Sequence, residues 1–179
     1  MNTVAYAIRR VASEEWRELR ELRLNALREA PTAFSTRYAD AAAEDDSVWR
    51  RRAAHEAESP TAATFVATTE DGHWVGMTGA GPLELLPGYA HVHGVYVAAA
   101  HRGGRAGLAR RLMAAGIDWA RTRTDAAWLT LGVHEDNEHA RGFYRRIGFS
   151  DTGKVVPYAL DPAQQVHIMG YDAFRWGRS

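Results

Sequence analysis

Residues 137–149 read Asn137-Glu138-His139-Ala140-Arg141-Gly142-Phe143-Tyr144-Arg145-Arg146-Ile147-Gly148-Phe149, and the reading of this stretch decides the fold. Asn137 is a helix N-cap residue, whose side chain can accept a hydrogen bond from a first-turn N–H. Ala140, Phe143 or Tyr144, and Ile147 recur at helical spacing and share a face. Gly148 stops the helix, because glycine takes the left-handed conformation that helix ends favour. Phe149 then opens a strand. Taken alone, this is a capped helix with a glycine stop.

Upstream, a strand over Ala90 to Val97 runs into His101-Arg102-Gly103-Gly104-Arg105-Ala106-Gly107. An amphipathic helix follows, with Leu108, Leu112, Ala115, Gly116 and Trp119 on one face. Strand, glycine-rich turn and helix together suit an anion. Free N–H groups and the positive end of the helix dipole hold a phosphate, and glycines let the backbone approach it. Arg102 and Arg105 add charge for diphosphate oxygens. The segment is not a dinucleotide-binding fingerprint, lacking a clean G-x-G-x-x-G after the first strand, nor a P-loop, lacking Gly-Lys-Ser/Thr.

Further out, Ala5 to Val11 reads as a first strand. Ser13 offers an N-cap for a helix carrying Trp16, Leu19, Leu22 or Arg23, Ala26 and Leu27 at helical spacing, ended by Pro31. A second helix runs from about Glu44 to Glu58, stopped by Pro60. Ala63 to Thr69 and His73 to Gly81 are strands joined by the turn signal Asp71-Gly72. A loop, Pro82 to Gly88, precedes the Ala90 strand. Ala127 to Val133 is a strand, and Val155 to Leu160 with Val166 to Tyr171 form an antiparallel pair. The expectation is one α/β domain over residues 1–179.

The string N-x-x-A-x-x-F-Y-x-x-x-G-F resembles the C-terminal signature of the GNAT (Gcn5-related N-acetyltransferase) superfamily. The segment from Val95-Tyr96-Val97 to Gly107-Leu108-Ala109 resembles its acetyl-CoA-binding strand and pyrophosphate loop, and order and spacing fit from about Ala5 to Tyr171. The resemblance implies a mixed, mostly antiparallel sheet of six or seven strands, helices on both faces and splayed central strands. It implies acetyl-CoA as acyl donor and an amine as acceptor. The backbone of Val95, Tyr96 and Val97 would pair with the pantetheine arm by strand addition. Residues Arg105, Ala106, Gly107, Leu108, Ala109 and Arg110, with Arg102, would cradle the diphosphate. Asn137 would contact the cofactor arm, and Tyr144 would sit near the sulfur. In one departure from the family pattern, Arg105 stands where the loop's first glycine is usual. Alternatively Gly107-x-Ala109 fills the glycine positions and the loop carries two extra residues.

The chemistry sets further expectations. An amine must be neutral to attack a thioester, and a lysine-like amine has a pKa of about 10.4. Tyr144, a phenol of pKa about 10, suits protonation of the leaving thiolate, and a strand amide near Val95 could polarise the carbonyl. A glutamate used by some family members falls at Gly132 here. The carboxylate position used by others falls at His91. His91 and His93 are two apart on a strand, expected on the same side as Val95 and Val97, and imidazole with a pKa near 6.5 suits a general base. Glu84 and His134 are reserve bases. The histidines lack an ordered third ligand, so no metal is expected. Trp49, Trp74 and Tyr38 are candidate lining residues of the acceptor site.

Composition narrows the partners. The 179 residues carry 22 basic and 22 acidic side chains and no cysteine. That excludes a disulfide framework and a thiolate nucleophile and gives no bulk charge for nucleic acid. Lys154 is the sole lysine. No apolar run approaches the roughly 18 residues of a membrane helix, and the first residues do not read as a signal peptide. The expected protein is cytoplasmic, acts on a small-molecule or peptide amine with no nucleic acid or membrane partner, and is compatible with a homodimer. The rival expectation is a catalytically weak acyl-CoA-binding sensor of the same fold.

Overall fold

The computed structural model describes residues 5–84, 86–103 and 107–177. Seven strands form one mixed sheet in the order β1-β2-β3-β4-β5-β7-β6. β1 (Tyr6–Arg10), β2 (Ala63–Thr69), β3 (Trp74–Pro82) and β4 (Tyr89–Val97) are antiparallel neighbours. β4 then pairs in parallel with β5 (Trp128–His134). A parallel step needs a crossover, and α4 (Leu108–Arg123) provides it. A hairpin of β6 (Phe149–Tyr158) and β7 (Asp161–Tyr171) joins β5 through β7. The α/β class and the mostly antiparallel sheet agree with the sequence reading, and the strand number is seven.

Alternation along β2 divides the two faces. Val66 packs with Met77 and Tyr96 against Trp16, Leu19 and Leu27 of α1 (Trp16–Glu29) and Trp49 of α3 (Asp46–Glu58). Ala67 points the other way, joining Val75 and Val97 against Leu108 and Leu112 of α4. On that second face, Ala63, Ala80 and Val92 also meet Met113 and Ile117 of α4 and Tyr144 of α5, which spans Glu138–Arg146. Helices therefore cover both faces.

Several boundaries differ from the sequence reading, for local reasons. α1 starts at Trp16 rather than after a Ser13 cap. The Ser13 hydroxyl instead donates to Glu58, and the Glu15 carboxylate accepts from the Ala12 N–H at 2.8 Å. α3 begins at Asp46, with the Asp45 carboxylate accepting from Ser47 N–H at 2.8 Å. A short helix, α2 (Tyr38–Ala42), precedes it. β6 starts at Phe149, earlier than Val155, because a register shift between Asp151 and Val155 carries the strand through Gly153 at φ +78°.

One irregularity positions the site. In the β3–β4 ladder, Met77 pairs with Tyr96 but Gly79 pairs with His93, so Gly94 and Val95 oppose the single residue Thr78. Gly94 adopts φ +62°, a conformation only glycine takes cheaply. The β4–β5 ladder ends at Val92 and Leu131, although β4 continues to Val97 and β5 to His134. Beyond the bulge the two strands part.

Candidate active site

The parting of β4 and β5 opens a cleft of about 910 Å³. Its walls come from both faces of the sheet. Val95, Asn137 and Tyr144 belong to the α4–α5 side, whereas Arg23, His91 and His93 belong to the α1–α3 side. The opening therefore runs through the sheet.

On the α4–α5 side, the Asn137 side chain caps α5, accepting from the Ala140 N–H at 3.1 Å. That cap orients the helix carrying Tyr144. The Tyr144 ring packs edge-on against Phe149 at 6.0 Å and beside Phe143 at 5.4 Å. Burial pushes its phenol up to about 12, and the hydroxyl has no hydrogen-bond partner among the described residues. It is a protonated donor facing the cleft. α4 begins with Gly107 at φ +55° as its N-cap, and Leu108 and Leu112 anchor its first turn beside Val97. The N–H groups of that first turn have no partner within the helix.

On the α1–α3 side, His91 Nδ1 lies 2.9 Å from Thr130 Oγ1 across the parallel pair. The Thr130 hydroxyl can also donate to the Ala90 carbonyl at 3.4 Å. In that arrangement His91 donates from Nδ1 and keeps Nε2 as an acceptor. Burial first, then the neighbouring His93, lowers the His91 pKa to about 4. His93 opens to the cleft but is walled by protein on its other sides. That enclosure, then the Arg23 charge, lowers its pKa to about 4 as well. Both imidazoles are neutral at pH 7, further from their ordinary value than the sequence suggests. The segment after α1 completes this wall. The Tyr158 hydroxyl, from the end of β6, meets the carbonyls of Phe34 at 2.8 Å and Pro31 at 3.2 Å.

The structure brings Tyr144, Asn137, Val95, His91 and His93 to one cleft. It corrects one expectation: His91 and His93 face away from Val95 and Val97. The extra residue at the Gly94 bulge reverses the alternation. Tyr96 and Val97 contribute backbone to the strand, their side chains buried on opposite faces. Arg102 is engaged, donating to the Val97 carbonyl at 2.6 Å and to Glu29 at 3.0 Å. Arg110 is exposed on the first turn of α4. Arg105 and Ala106 lie outside the described residues.

Neither reserve base is placed for the role. His134 is buried and fully used, with Nε2 2.6 Å from Gln164 Oε1 and Nδ1 accepting from the Asp136 N–H at 3.2 Å. Glu84 is exposed and does not line the cleft. Trp49 is core, Trp74 packs beside that core, and Tyr38 meets Arg28; none of the three lines the cleft. Among the lining residues the sequence left unassigned are Arg23, Phe34, Thr130 and Tyr158. Of these only Arg23 gave a signal, as a charge at a core-facing position of its helix. Among the described residues no group of three or more His, Cys, Asp or Glu is placed to hold a metal ion, and no helix is long and apolar enough to cross a membrane.

Comparison with known proteins follows the same lines. The model of the acetyltransferase (GNAT) family matches residues 15–149. No curated protein matches the chain. Among solved structures, an acetyltransferase of the GNAT family from Streptococcus pneumoniae superposes with a TM-score of 0.72 at 19% identity, covering 93% of this chain and 98% of that one. Spermidine N-acetyltransferase from Vibrio cholerae, in complex with CoA and spermine, gives 0.71 at 18% identity over 92% and 94%. Nourseothricin acetyltransferase gives 0.54 at 31% identity over 63% and 66%.

Proposed function

The chain belongs to the GNAT acetyltransferase family, and from that premise we propose that it transfers an acetyl group from acetyl-CoA directly to a primary amine of a small molecule or peptide. The observation that carries this reading is the cleft through the sheet, with the Tyr144 phenol on one side and the His91 imidazole on the other.

The residues present fit an acyl-CoA. Past Val92 the β4 backbone has left its β5 ladder, which suits main-chain pairing with an extended pantetheine arm. Next to it, the first turn of α4 offers N–H groups and a positive dipole to a diphosphate. Starting that helix at Leu108 favours the alignment in which Gly107 and Ala109 fill the glycine positions of the loop.

Acetyl-CoA supplies a thioester, whose carbonyl carbon gains the new C–N bond as its C–S bond breaks. His91, neutral at pH 7, accepts the proton that the attacking amine gives up, directly or through water. Tyr144 gives its proton to the departing thiolate; a free thiol has a pKa of about 8.5, so the leaving group gains from a donor. Both groups return to their starting states by exchange with solvent. A backbone N–H near Val95 would polarise the carbonyl oxygen, where negative charge develops.

The test is thiol release from acetyl-CoA across a broad amine panel, with acetylated products identified by mass spectrometry. Amine-dependent release is expected. Tight binding of acetyl-CoA without release for any amine would instead favour a sensor of the same fold.

A further inference from the structure

We infer that the acceptor carries a carboxylate and that Arg23, unpaired at the point where β4 and β5 part, is the residue that binds it. The inference deepens the acetyltransferase reading and rests on it.

Arg23 stands on α1 between Leu19 and Leu27, in a row of residues that are otherwise core. Its guanidinium passes over the Phe34 ring, 5.5 Å from the centroid. A Cβ on Gly94 would lie 3.8 Å from Arg23 Nη1 and 4.0 Å from Phe34 Cε1, so the charged end reaches the bulge that opens the cleft. Arg23 makes no hydrogen bond and no ion pair among the described residues, and its Nε is buried without a partner. Two carboxylates are near enough to be felt, but both are occupied. Glu44 takes Arg52 at 3.0 and 3.2 Å, and Glu56 accepts from the Thr64 hydroxyl at 2.9 Å.

A largely buried cation with no direct ion pair is costly, and the more distant charges of Glu44 and Glu56 offset only part of that cost. A carboxylate arriving in the cleft offsets that cost, and the planar guanidinium matches it with two parallel hydrogen bonds. The acceptor's amine would then lie toward His91, on the same side of the sheet.

The cleft is also a poor place for a second positive charge. Two acidic side chains line it. Asp151 is held by Arg141 at 2.8 Å and Arg145 at 2.7 Å, and Asp172 accepts from the Ser150 hydroxyl. The residues outside the description include no Asp or Glu. Polyamines, the ligand class of the Vibrio cholerae neighbour, would find in the lining a single carboxylate not paired with an arginine, the exposed Asp172. Lys154, the other fixed cation of the lining, is exposed on β6 and well solvated.

The experiment compares α-, β- and γ-amino acids, each with its carboxamide and its decarboxylated amine, and includes spermidine. With the wild-type protein and acetyl-CoA, at least one amino acid is expected to exceed its carboxamide in kcat/KM on the order of 10- to 100-fold, the range of a hydrogen bond to a charged group. Arg23→Gln is expected to raise KM for that amino acid by a similar factor, so that its preference over the carboxamide disappears, with Arg23→Lys recovering part of the preference. Carboxamides or spermidine turned over as well as the amino acids would overturn the inference, and this wild-type comparison stands even if a variant does not fold. If no amine releases CoA, the acetyltransferase reading itself fails. Titration of the same amino acids into CoA-bound wild-type and Arg23→Gln protein then decides the carboxylate site: binding that needs Arg23 supports it, and binding equal in both, or absent from both, removes it.

Discussion

The imidazole of His93 lies over Gly79, its partner on β3, so closely that a Cβ there would fall 2.3 Å from Cε1 and 2.7 Å from Nδ1. Glycine at this position is what lets the ring rest against the sheet and leaves the acceptor side of the cleft clear. Because His93 opens to the cleft, its ring can swing away from an added methyl. Gly79→Ala should therefore cost less than about 1 kcal/mol, below the roughly 1–3 kcal/mol of a core overpacking, while acceptor KM rises. In a His93→Ala background the same substitution should be silent, which a double-mutant cycle of melting temperature and KM will read.

Gly76 makes the opposite case. A Cβ there would meet Leu112 Cδ1 at 2.8 Å and the Tyr96 carbonyl oxygen at 3.0 Å. The second contact is β4 backbone and cannot swing aside, and relieving the first would push Leu112 and α4 away from β3. Gly76→Ala should destabilise by about 2 kcal/mol, lowering Tm by roughly 4–8 °C in thermal melts. An unchanged Tm would mean that α4 sits further from the sheet.

The contrast between these glycines also marks what was legible in the sequence. The Asn137 cap, the Gly148 stop, the α4 apolar face and the Asp71-Gly72 hairpin are local signals, and each stands where the residues put it. The bulge at Gly94 is different. Gly94 inside His-Val-His-Gly-Val-Tyr-Val is the kind of residue that marks a bulge, but whether two residues will oppose one depends on the partner strand. Simple alternation therefore put the histidines on the side of Val97. Arg23 was legible as a position but not as a group: helical spacing left Leu22 or Arg23 open, and only the fold reveals a cation at a core-facing position with every nearby carboxylate occupied. Tyr158 became part of the site through contacts with Pro31 and Phe34, a separation no local pattern reports.

Tyr144 separates catalysis from packing. Its hydroxyl has no partner among the described residues, so Tyr144→Phe removes nothing that holds the fold together and Tm should stay within a degree or so. If the phenol protonates the leaving thiolate, kcat should fall by about 100-fold or more, with KM for acetyl-CoA nearly unchanged. Pre-steady-state thiol release is the direct measurement. A kcat within about twofold of wild type would take Tyr144 out of the chemistry.

The histidines make two linked pH predictions. Both have pKa values lowered to about 4 in the folded protein, against about 6.5 when unfolded. Between those values the unfolded chain binds more protons, so stability is fully present above pH 6.5 and drains away as pH falls toward 4. Melting temperature should decline over that window, and His91→Gln with His93→Gln should flatten the decline. In catalysis the sign is different. His91 is already a free base throughout the neutral range, so the proton that limits kcat/KM belongs to the acceptor, with a pKa of about 8 for a peptide's terminal amine, about 10.4 for a lysine-type amine, and above the peptide value for a free amino acid, whose carboxylate favours the ammonium form. The rate should climb through neutral pH without an inflection near 6.5. His91→Gln should lower kcat/KM at every pH and leave the position of that climb unchanged. An inflection near 6.5 that His91→Gln abolishes would mean that the imidazole keeps its ordinary pKa, and that its enclosure beside Thr130 and His93 does not govern the proton transfer.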